Sequence, residues 1–368
     1  MFLQDWRSLV LSACLLGGFG ADVQAQDYAY ITNFADNTVS VIATATNSVT
    51  ATIPVGFAPT GVAVTPNGTK AYVANDFDGT VSVIDAATKT VSATITVGPF
   101  PGSVTVTPDG SKVYVANEPR GAGTVSVIDV ATETVVATIT VGDGPGGVAV
   151  TPDGSKAYVP NGTDGTVSVI DIASETVVGT IPLTTPPNAL GAAAVTPDGT
   201  KVYVLDGFRN LVWVMSTSTN QVVTSIAVAG QPGAVAFTPD GSKAYVANGT
   251  GGTENPGPGN ISVIDTATNT AVATITAVDG PTGVAITPDG SKAYVPNFFS
   301  ANVSVIATST DVLVATVPVG QNPDSFGNFI GPIPRTAPVP TLNEEGKIAL
   351  AILLLGAGAV AACHRRAS

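Results

Sequence analysis

The groups able to do chemistry in this chain are carboxylates, because histidine and cysteine are almost absent from it. The one histidine is His364, and the two cysteines are Cys14 and Cys363, all in terminal segments. The body of the chain therefore has no imidazole to act as a general base or to bind zinc or haem, and it has no thiolate. A reaction centre there would need carboxylates that hold a metal ion. We expect no cofactor.

The most regular carboxylates indicate turns and not catalysis. Four aspartates each follow a Val-Ile pair, at Asp85, Asp129, Asp171 and Asp265. A catalytic acid is needed only once or twice, whereas an aspartate at the end of a strand caps its own backbone in every copy of an Asx turn. Segments 75–80 and 161–166 place oxygen atoms beside a glycine, as calcium loops do, but both lack the bidentate glutamate. We predict neither catalytic residues nor a metal site.

Composition and charge narrow the class of protein further. Charged residues are 11% of the chain, Gly and Pro number 40 and 27, and the formal net charge is −13. Short strands joined by tight turns have this composition. A chain this acidic, with no run of Lys or Arg, repels phosphate backbones, so we predict that it does not bind nucleic acid.

The body of the chain repeats a tyrosine-containing strand at intervals of 42 to 49 residues. The seven copies have their tyrosines at Tyr30, Tyr72, Tyr114, Tyr158, Tyr203, Tyr245 and Tyr294. Each unit contains four short β-type runs, and a Thr-Pro-Asp-Gly turn such as 107–110 precedes most of the tyrosine strands. Four strands per unit at this period predict an all-β, seven-bladed propeller, with blades packed around a channel.

The repeats resemble the YVTN-type propeller family. The resemblance rests on Tyr-Val-Ala-Asn at 72–75, 114–117 and 245–248, and it spans residues 28 to 330. Val-Ser-Val-Ile-Asp follows the first two copies, and Ile-Ser-Val-Ile-Asp follows the third. Members of that family include surface-layer-associated proteins, and propellers of related appearance include lactonases and the haem-d1 domain of nitrite reductases. The absence of any Gly-His pair excludes the WD40 type.

The phase of the repeat predicts how the ring closes. The body begins at 28–30 with what matches the second strand of a blade, and it ends at 324–330 with what matches a first, innermost strand. We predict that the C-terminal strand completes the N-terminal blade, which would leave no open sheet edge.

The turns that are alike in every unit should lie on one face of the ring, and the connections that differ should lie on the other. Repeat folds commonly place binding residues among the variable loops. Aromatic and arginine side chains supply buried area and planar donors in interfaces. The predicted binding residues are Phe57, Phe77, Phe100, Arg120, Phe208, Arg209, Phe298 and Phe299.

The N-terminal segment predicts export. Residues 1–25 combine Arg7, an apolar run and small residues before Gln26, which is the pattern of a secretory signal peptide removed by signal peptidase. An alternative is a lipoprotein signal, because residues 11–14 end in Cys14 and resemble a lipobox.

The C-terminal segment predicts a membrane-sorting tail, residues 339–368, joined to the propeller (26–332) by a linker at 333–338. A short motif, Val339-Pro340-Thr341-Leu342, is followed by an apolar run at 348–363, expected to form a short helix, and by Arg365 and Arg366. This order resembles the IPTL-CTERM class of sorting tails, which implies recognition by an exosortase-type enzyme in the membrane. The alternative is a plain membrane anchor whose arginine pair lies in the cytoplasm.

These features together predict a noncatalytic, exported cell-surface or envelope protein that uses its propeller as an interaction or structural module. The expected partners are an unidentified surface protein or glycan, and the membrane through the tail. Two alternatives stay open: a periplasmic or surface protein that binds a glycan or peptide, and a propeller hydrolase such as a lactonase with a carboxylate-metal site.

Overall fold

The computed structural model describes residues 27–118, 121–185, 189–249 and 258–332, and every regular element within these ranges is a β-strand. The first fourteen strands are β1 (Asp27–Asn33), β2 (Thr38–Ala43), β3 (Ser48–Pro54), β4 (Pro59–Val64), β5 (Lys70–Asn75), β6 (Thr80–Asp85), β7 (Thr90–Thr96), β8 (Pro101–Val106), β9 (Lys112–Asn117), β10 (Ala122–Asp129), β11 (Thr134–Asp143), β12 (Ala149–Val150), β13 (Lys156–Asn161) and β14 (Thr166–Asp171). The remaining strands are β15 (Thr176–Pro182), β16 (Leu190–Val195), β17 (Lys201–Asp206), β18 (Leu211–Ser216), β19 (Val222–Ala227), β20 (Gln231–Phe237), β21 (Lys243–Gly249), β22 (Pro258–Asp265), β23 (Thr270–Asp279), β24 (Ala285–Ile286), β25 (Lys292–Asn297), β26 (Asn302–Ala307), β27 (Val312–Pro318) and β28 (Ile330–Pro332).

These strands form seven antiparallel sheets of four strands each, which confirms the predicted architecture. Blade 1 has the order β28-β1-β2-β3, and blades 2 to 7 follow in chain order from β4 to β27. The second and third strands are buried on both faces, as in β5, where all residues after Lys70 are buried. The outermost strand alternates between exposed and covered residues, as β7 does. The blades therefore pack face to face, and their outer strands face solvent.

The ring closes as predicted, with a C-terminal strand on the inner side of blade 1. The paired residues are Asp27 with Pro332, Tyr28 with Gly331, and Ala29 with Ile330. The predicted range was wrong in detail, because the strand is Ile330–Pro332 and not residues 324–330. Residues 326 and 328 turn toward blade 2, where their carbonyl oxygens accept hydrogen bonds from Val62 and Val64 of β4. Gly327, with a φ of 93°, permits this change of direction.

Side chains in the closing segment also hold blade 1. The Oγ of Ser325 accepts a hydrogen bond of 2.9 Å from the amide of Thr32. Pro323 forms an isolated bridge with Asn33, and Phe329 is fully buried in a core shared by blades 1, 2 and 7. Closure is thus made by packing as well as by strand pairing.

In blades 4 to 7 the repeat tyrosine joins its blade to the next one, because its hydroxyl reaches the turn between the third and fourth strands there. The hydroxyls of Tyr72 and Tyr114, in blades 2 and 3, are buried without a hydrogen-bond partner. The Oη of Tyr294 donates to Oδ1 of Asn47 at 2.6 Å, and that of Tyr158 donates to Oδ1 of Asn220 at 2.9 Å. Both acceptors occupy the left-handed position of their turns. Every repeat tyrosine has an exposed fraction of at most 1%. We call this contact between neighbouring blades the blade latch.

A lysine two residues before the tyrosine joins the blade latch in most blades. Lys70 pairs with Glu133 at 2.6 Å, and Lys243 pairs with Asp311 at 2.8 Å. Blade 1 has Tyr28 at the lysine position, and there Lys89 of the blade 2 turn lies 4.4 Å from the centre of the Tyr28 ring. In blade 1 the cation therefore comes from the turn of the next blade and not from the second strand, and a cation–π contact between the two blades replaces the lysine contact.

The two faces of the ring differ as expected. One, the turn face, carries the Thr-Pro-Asp-Gly turns: in 107–110, Asp109 accepts hydrogen bonds from Thr107 and from the amide of Ser111, and Gly110 has a φ of 72°. The other, the loop face, carries the connections between second and third strands and those between blades. The aligned turns therefore leave the variable segments together on the loop face.

The proposed signal peptide, linker and sorting tail lie outside the described residues. Among the residues that are described, no helix has the length and apolar character needed to cross a membrane.

We expect loss of the closing segment to destabilise the ring sharply. Removing residues 323–332 exposes Phe329 and Ile330, whose burial contributes about 3–6 kcal/mol, and should lower the melting temperature on the order of 10 °C. Phe329→Ala should cost about 3–5 kcal/mol. The partly exposed Phe326, changed to Ala, is the matched control and should cost less. An unchanged melting temperature of the deletion variant, measured by circular dichroism, would contradict the closure.

Candidate functional site

A buried asparagine lies at the end of the second strand, or one residue before it, in six of the seven blades, and it positions loops on the loop face. In blade 2, Nδ2 of Asn75 donates to the hydroxyls of Thr80 at 3.0 Å and Ser82 at 2.9 Å, while its Oδ1 accepts the amide of Gly56 at 3.1 Å. Gly56 is required here, since a Cβ would lie 2.5 Å from Cγ of Asn75. The same bonds recur in blade 4 around Asn161, so one residue ties the loop inside a blade to the loop that enters it.

Phe57 is held on the loop face by its backbone. Its amide donates to Oδ2 of Asp78 at 2.6 Å, and the next amide, of Ala58, donates to Oδ1 of Asn37 at 2.9 Å. Asp78 belongs to blade 2 and Asn37 to blade 1, so the loop is fastened from both sides. The phenyl ring itself is 51% exposed.

Five phenylalanine rings form a continuous aromatic stripe across blades 2, 1 and 7. The stripe consists of Phe57, Phe77, Phe34, Phe298 and Phe299. Ring centres are 5.4 Å apart for Phe57 and Phe77, 6.0 Å for Phe77 and Phe34, 6.5 Å for Phe34 and Phe298, and 5.3 Å for Phe298 and Phe299. Phe77 is 56% exposed, and the three rings from blades 1 and 7 are partly buried. Such contacts fix the rings relative to each other while one side stays open to solvent.

Four of the predicted binding residues lie in this stripe, and the others do not. Phe100 is 46% exposed, and no aromatic ring of the described part contacts it. Phe208, in blade 5, lies under the guanidinium of Arg209 at 5.8 Å, far around the ring. Arg120 lies outside the described residues. The eight predicted residues therefore do not make one site.

Phe34, the ring that links blade 2 to blade 7, was not among the predicted binding residues. Phe34 follows Asn33 directly, just as Asp76 follows Asn75, so its place on the loop face was available from the repeat. The contact with Phe298 depends on blades 1 and 7 being neighbours, and this follows from closure of the ring.

Blade 5 replaces the buried asparagine with a charged group. Asp206 has an exposed fraction of 0%, and its carboxylate accepts hydrogen bonds from the amide of Arg209 at 2.9 Å, from NH1 of Arg209 at 3.1 Å and from Nε1 of Trp213 at 3.2 Å. Trp213 occupies the position at which the other six blades have serine. NH2 of Arg209 also donates to the carbonyl of Thr185 at 2.7 Å. The three residues therefore substitute as a unit for the asparagine–serine pair.

The central channel has a volume of about 550 Å³ and a largely apolar lining of alanine, valine and glycine from the inner strands. Three carboxylates that interact electrostatically, Asp76, Glu118 and Asp324, lie on the loop face. Burial raises the pKa of Asp76, and burial together with Asp76 and Asp143 raises that of Glu118. Burial, opposed by a hydrogen bond from Thr282 and reinforced by Asp76, raises the pKa of Asp324 to about 7. One of its oxygens, Oδ1, is buried without a hydrogen-bond partner.

The recurring aspartates act as turn caps, as predicted. Oδ1 of Asp85 accepts the amides of Ala87 at 3.1 Å and Thr88 at 2.8 Å, and these bonds lower its pKa. Across residues 27–118, 121–185, 189–249 and 258–332, the structure brings together no three Asp, Glu, His or Cys side chains able to hold a metal ion.

Seven four-stranded blades around one channel, closed by a C-terminal inner strand, define a seven-bladed β-propeller. The model of the family described as "Lactonase, 7-bladed beta-propeller" matches residues 26–177, which contain strands β1 to β14.

Two solved structures are similar over most of the chain. Hydrazine synthase of Kuenenia stuttgartiensis is 27% identical with a TM-score of 0.69, over 77% of this chain and 92% of that one. A functionally unknown protein from Desulfotomaculum acetoxidans is 16% identical with a TM-score of 0.69, over 83% of this chain and 98% of that one, and shows the fold alone. No curated protein matches the chain.

We expect Asp324 to make the ring less stable as the pH rises. Its folded pKa of about 7 exceeds the ordinary 3.8, so the folded state keeps a proton that the unfolded chain releases between these values. The Asp324→Asn variant should have about the same melting temperature as the wild type at pH 4.5. Its melting temperature should then exceed that of the wild type by an increasing margin up to pH 8, where the difference in unfolding free energy is on the order of a few kcal/mol. Because Asp76 and Glu118 are present in both the wild type and the variant, the difference between the two proteins isolates the effect of Asp324. A difference that does not change with pH would contradict the assignment.

We expect Asp206 and Arg209 to be energetically coupled. Asp206→Asn leaves the guanidinium without its carboxylate, and Arg209→Gln leaves a buried carboxylate without its cation. Because Arg209 is partly exposed, each change should cost about 1–3 kcal/mol, and the double variant should cost less than the sum. Thermal unfolding of all four proteins measures this. Additive losses would show that the two residues act independently.

Proposed function

We propose that this protein is a noncatalytic, exported envelope or cell-surface module that binds a partner through the aromatic stripe on its loop face. The observation that carries the proposal is the continuity of the stripe, with Phe57 and Phe77 each more than half exposed. A soluble surface rarely leaves neighbouring phenylalanines open to water unless another surface covers them.

The energetics favour such a partner. Burying the exposed part of each ring would contribute on the order of 1 kcal/mol or more, and rings already held by contacts with each other lose little conformational freedom on binding. The loops that carry them are fastened by Asn37, Asn75 and Asp78. The stripe is therefore preorganised.

The cellular location rests on the two ends of the sequence. Residues 1–25 support export and processing by signal peptidase, and residues 339–368 support a tail that enters the membrane and is recognised by an exosortase-type enzyme. A propeller delivered in this way would present its loop face to other envelope components, either a surface protein or a glycan.

A hydrolase is the second candidate, since the lactonase-family model matches residues 26–177. Its reacting groups would be Asp76, Glu118 and Asp324, which the structure does not bring together as a metal-binding set within the described residues. Burial raises the pKa of all three, and repulsion by Asp76 adds to it for Glu118 and Asp324. Hydrolysis of simple lactones by the purified chain with added Ca²⁺ or Mn²⁺, lost in Asp324→Asn, would favour this candidate over the binding module.

Replacing stripe residues should abolish binding to the parent cell surface without unfolding the ring. We expect the double variant Phe57→Ser, Phe77→Ser to lose at least about tenfold in affinity, because both rings are buried on binding. The double variant Phe298→Ser, Phe299→Ser should behave similarly. Binding of labelled protein to cells lacking the gene measures this.

The control is Phe100→Ser, which removes a ring of similar exposure on the same face but outside the stripe. It should bind as the wild type does. An equal loss in the control, or no loss in either double variant, would contradict a binding role for the stripe.

A further inference from the structure

Positive charge is absent from most of the loop face. Every lysine that the structure describes stands on the turn face, six at the start of a second strand and Lys89 in a turn. The only described cation on the loop face is Arg209, which is paired with Asp206 in blade 5. Blades 7, 1 and 2, which carry the stripe, have no described cation on this face.

Carboxylates are interleaved with the rings of the stripe. Asp36 lies in the same loop as Phe34, and Asp76 and Asp78 flank Phe77 on either side. Asp78 also accepts the amide of Phe57 at 2.6 Å, and Asp279 accepts the hydroxyl of Ser300, which follows Phe299. Each part of the stripe therefore has a carboxylate beside it.

Asp324 adds a further carboxyl group beside the stripe. Its Oδ1 is buried without a hydrogen-bond partner, and its carboxyl is close enough to Asp76 for the two to repel. Like charges held together without cations cost folding free energy. A ligand that brings positive charge to this face would recover part of that free energy.

We propose that the stripe binds a basic segment of a partner protein, in which lysine or arginine side chains alternate with apolar ones. This inference deepens the proposed function and rests on it. Apolar side chains of the segment would cover the phenylalanine rings. Its cations would pair with Asp36, Asp78 and Asp279 and lie over the exposed ring faces.

A second copy of this chain is a poorer occupant. The lysines of the turn face are already engaged: Lys70 by Glu133, Lys112 by Glu175 and Lys243 by Asp311. Lys292 is held by the carbonyl of Thr44 at 2.7 Å. Lys89, Lys156 and Lys201 also have partners within their own copy. Each described lysine of the turn face would therefore have to give up an existing contact to reach the stripe of another copy.

The test uses the purified full chain and three fluorescent decapeptides: alternating Lys-Leu, alternating Glu-Leu and alternating Lys-Ser. We expect the Lys-Leu peptide to bind most tightly by fluorescence anisotropy. Its affinity should fall as sodium chloride rises from 50 to 300 mM, because salt screens exposed charges. Binding of Glu-Leu as tight as that of Lys-Leu would overturn the proposal.

The matched variants change charge but not backbone support. The triple variant Asp36→Asn, Asp78→Asn, Asp279→Asn keeps an amide oxygen at each position to accept the same hydrogen bond, yet removes three charges. It should bind Lys-Leu at least about fivefold more weakly. The control, Asp164→Asn in blade 4, removes a carboxylate that accepts the amide of Asp143 in the same way and should bind normally. Equal weakening in the control would overturn the proposal.

Cell binding separates this proposal from the proposed function. If the phenylalanine variants lose cell binding but the triple aspartate variant keeps it, the stripe is a binding surface and its partner is not basic. If both sets keep cell binding, the proposed function fails as well. Self-association of the full chain in sedimentation, abolished by Phe57→Ser, would also overturn the basic partner.

Discussion

The blade latch is the contact on which the rest of the structure depends. Each sheet is a separate hydrogen-bonded unit, so the ring exists only because neighbouring sheets pack together. In blades 2 to 7 the tyrosine, the lysine or both reach a left-handed residue in the next blade. Because the blade latch lies on the turn face, it sets the blade spacing there, and the loop face does not need to hold neighbouring blades together. Loops on that face can differ from blade to blade without disturbing the packing.

Much of the fold was predictable from the sequence, because the tyrosine, the Thr-Pro-Asp-Gly turn and the Val-Ile-Asp strand end each recur at a fixed phase. The blade count, the strand number and the inner C-terminal strand follow from that phase. The exact closing residues do not, since residues 326 and 328 bond to β4 of blade 2 and shift pairing with β1 to Ile330–Pro332. Whether a residue of this segment bonds to β1 or to β4 depends on three-dimensional packing, and no repeat in the sequence indicates it.

The candidate site was predictable only in part. The sequence places exposed aromatics on the loop face, but it carries no distances between loops, so it groups Phe100 and Phe208 with residues that lie elsewhere. Phe34 was missed because its neighbours come from the opposite end of the chain. Trp213 is visible as an exception to the serine pattern. Its link to Asp206 and Arg209 appears only when the carboxylate is seen to accept bonds from both.

Closure by residues 323–332 has a consequence for the order in which the molecule can form. Tyr30 and Phe329 are hydrogen-bonded neighbours separated by almost the whole length of the body, so the first blade made during synthesis must wait for the last segment. Until then its inner edge and the surface beneath Phe329 stay uncovered. Long-range pairing of this kind slows folding and prolongs the exposure of unpaired, aggregation-prone strand edges. Blade 1 is therefore expected to be the last blade completed, after blades 2 to 7 have formed the surface against which it packs.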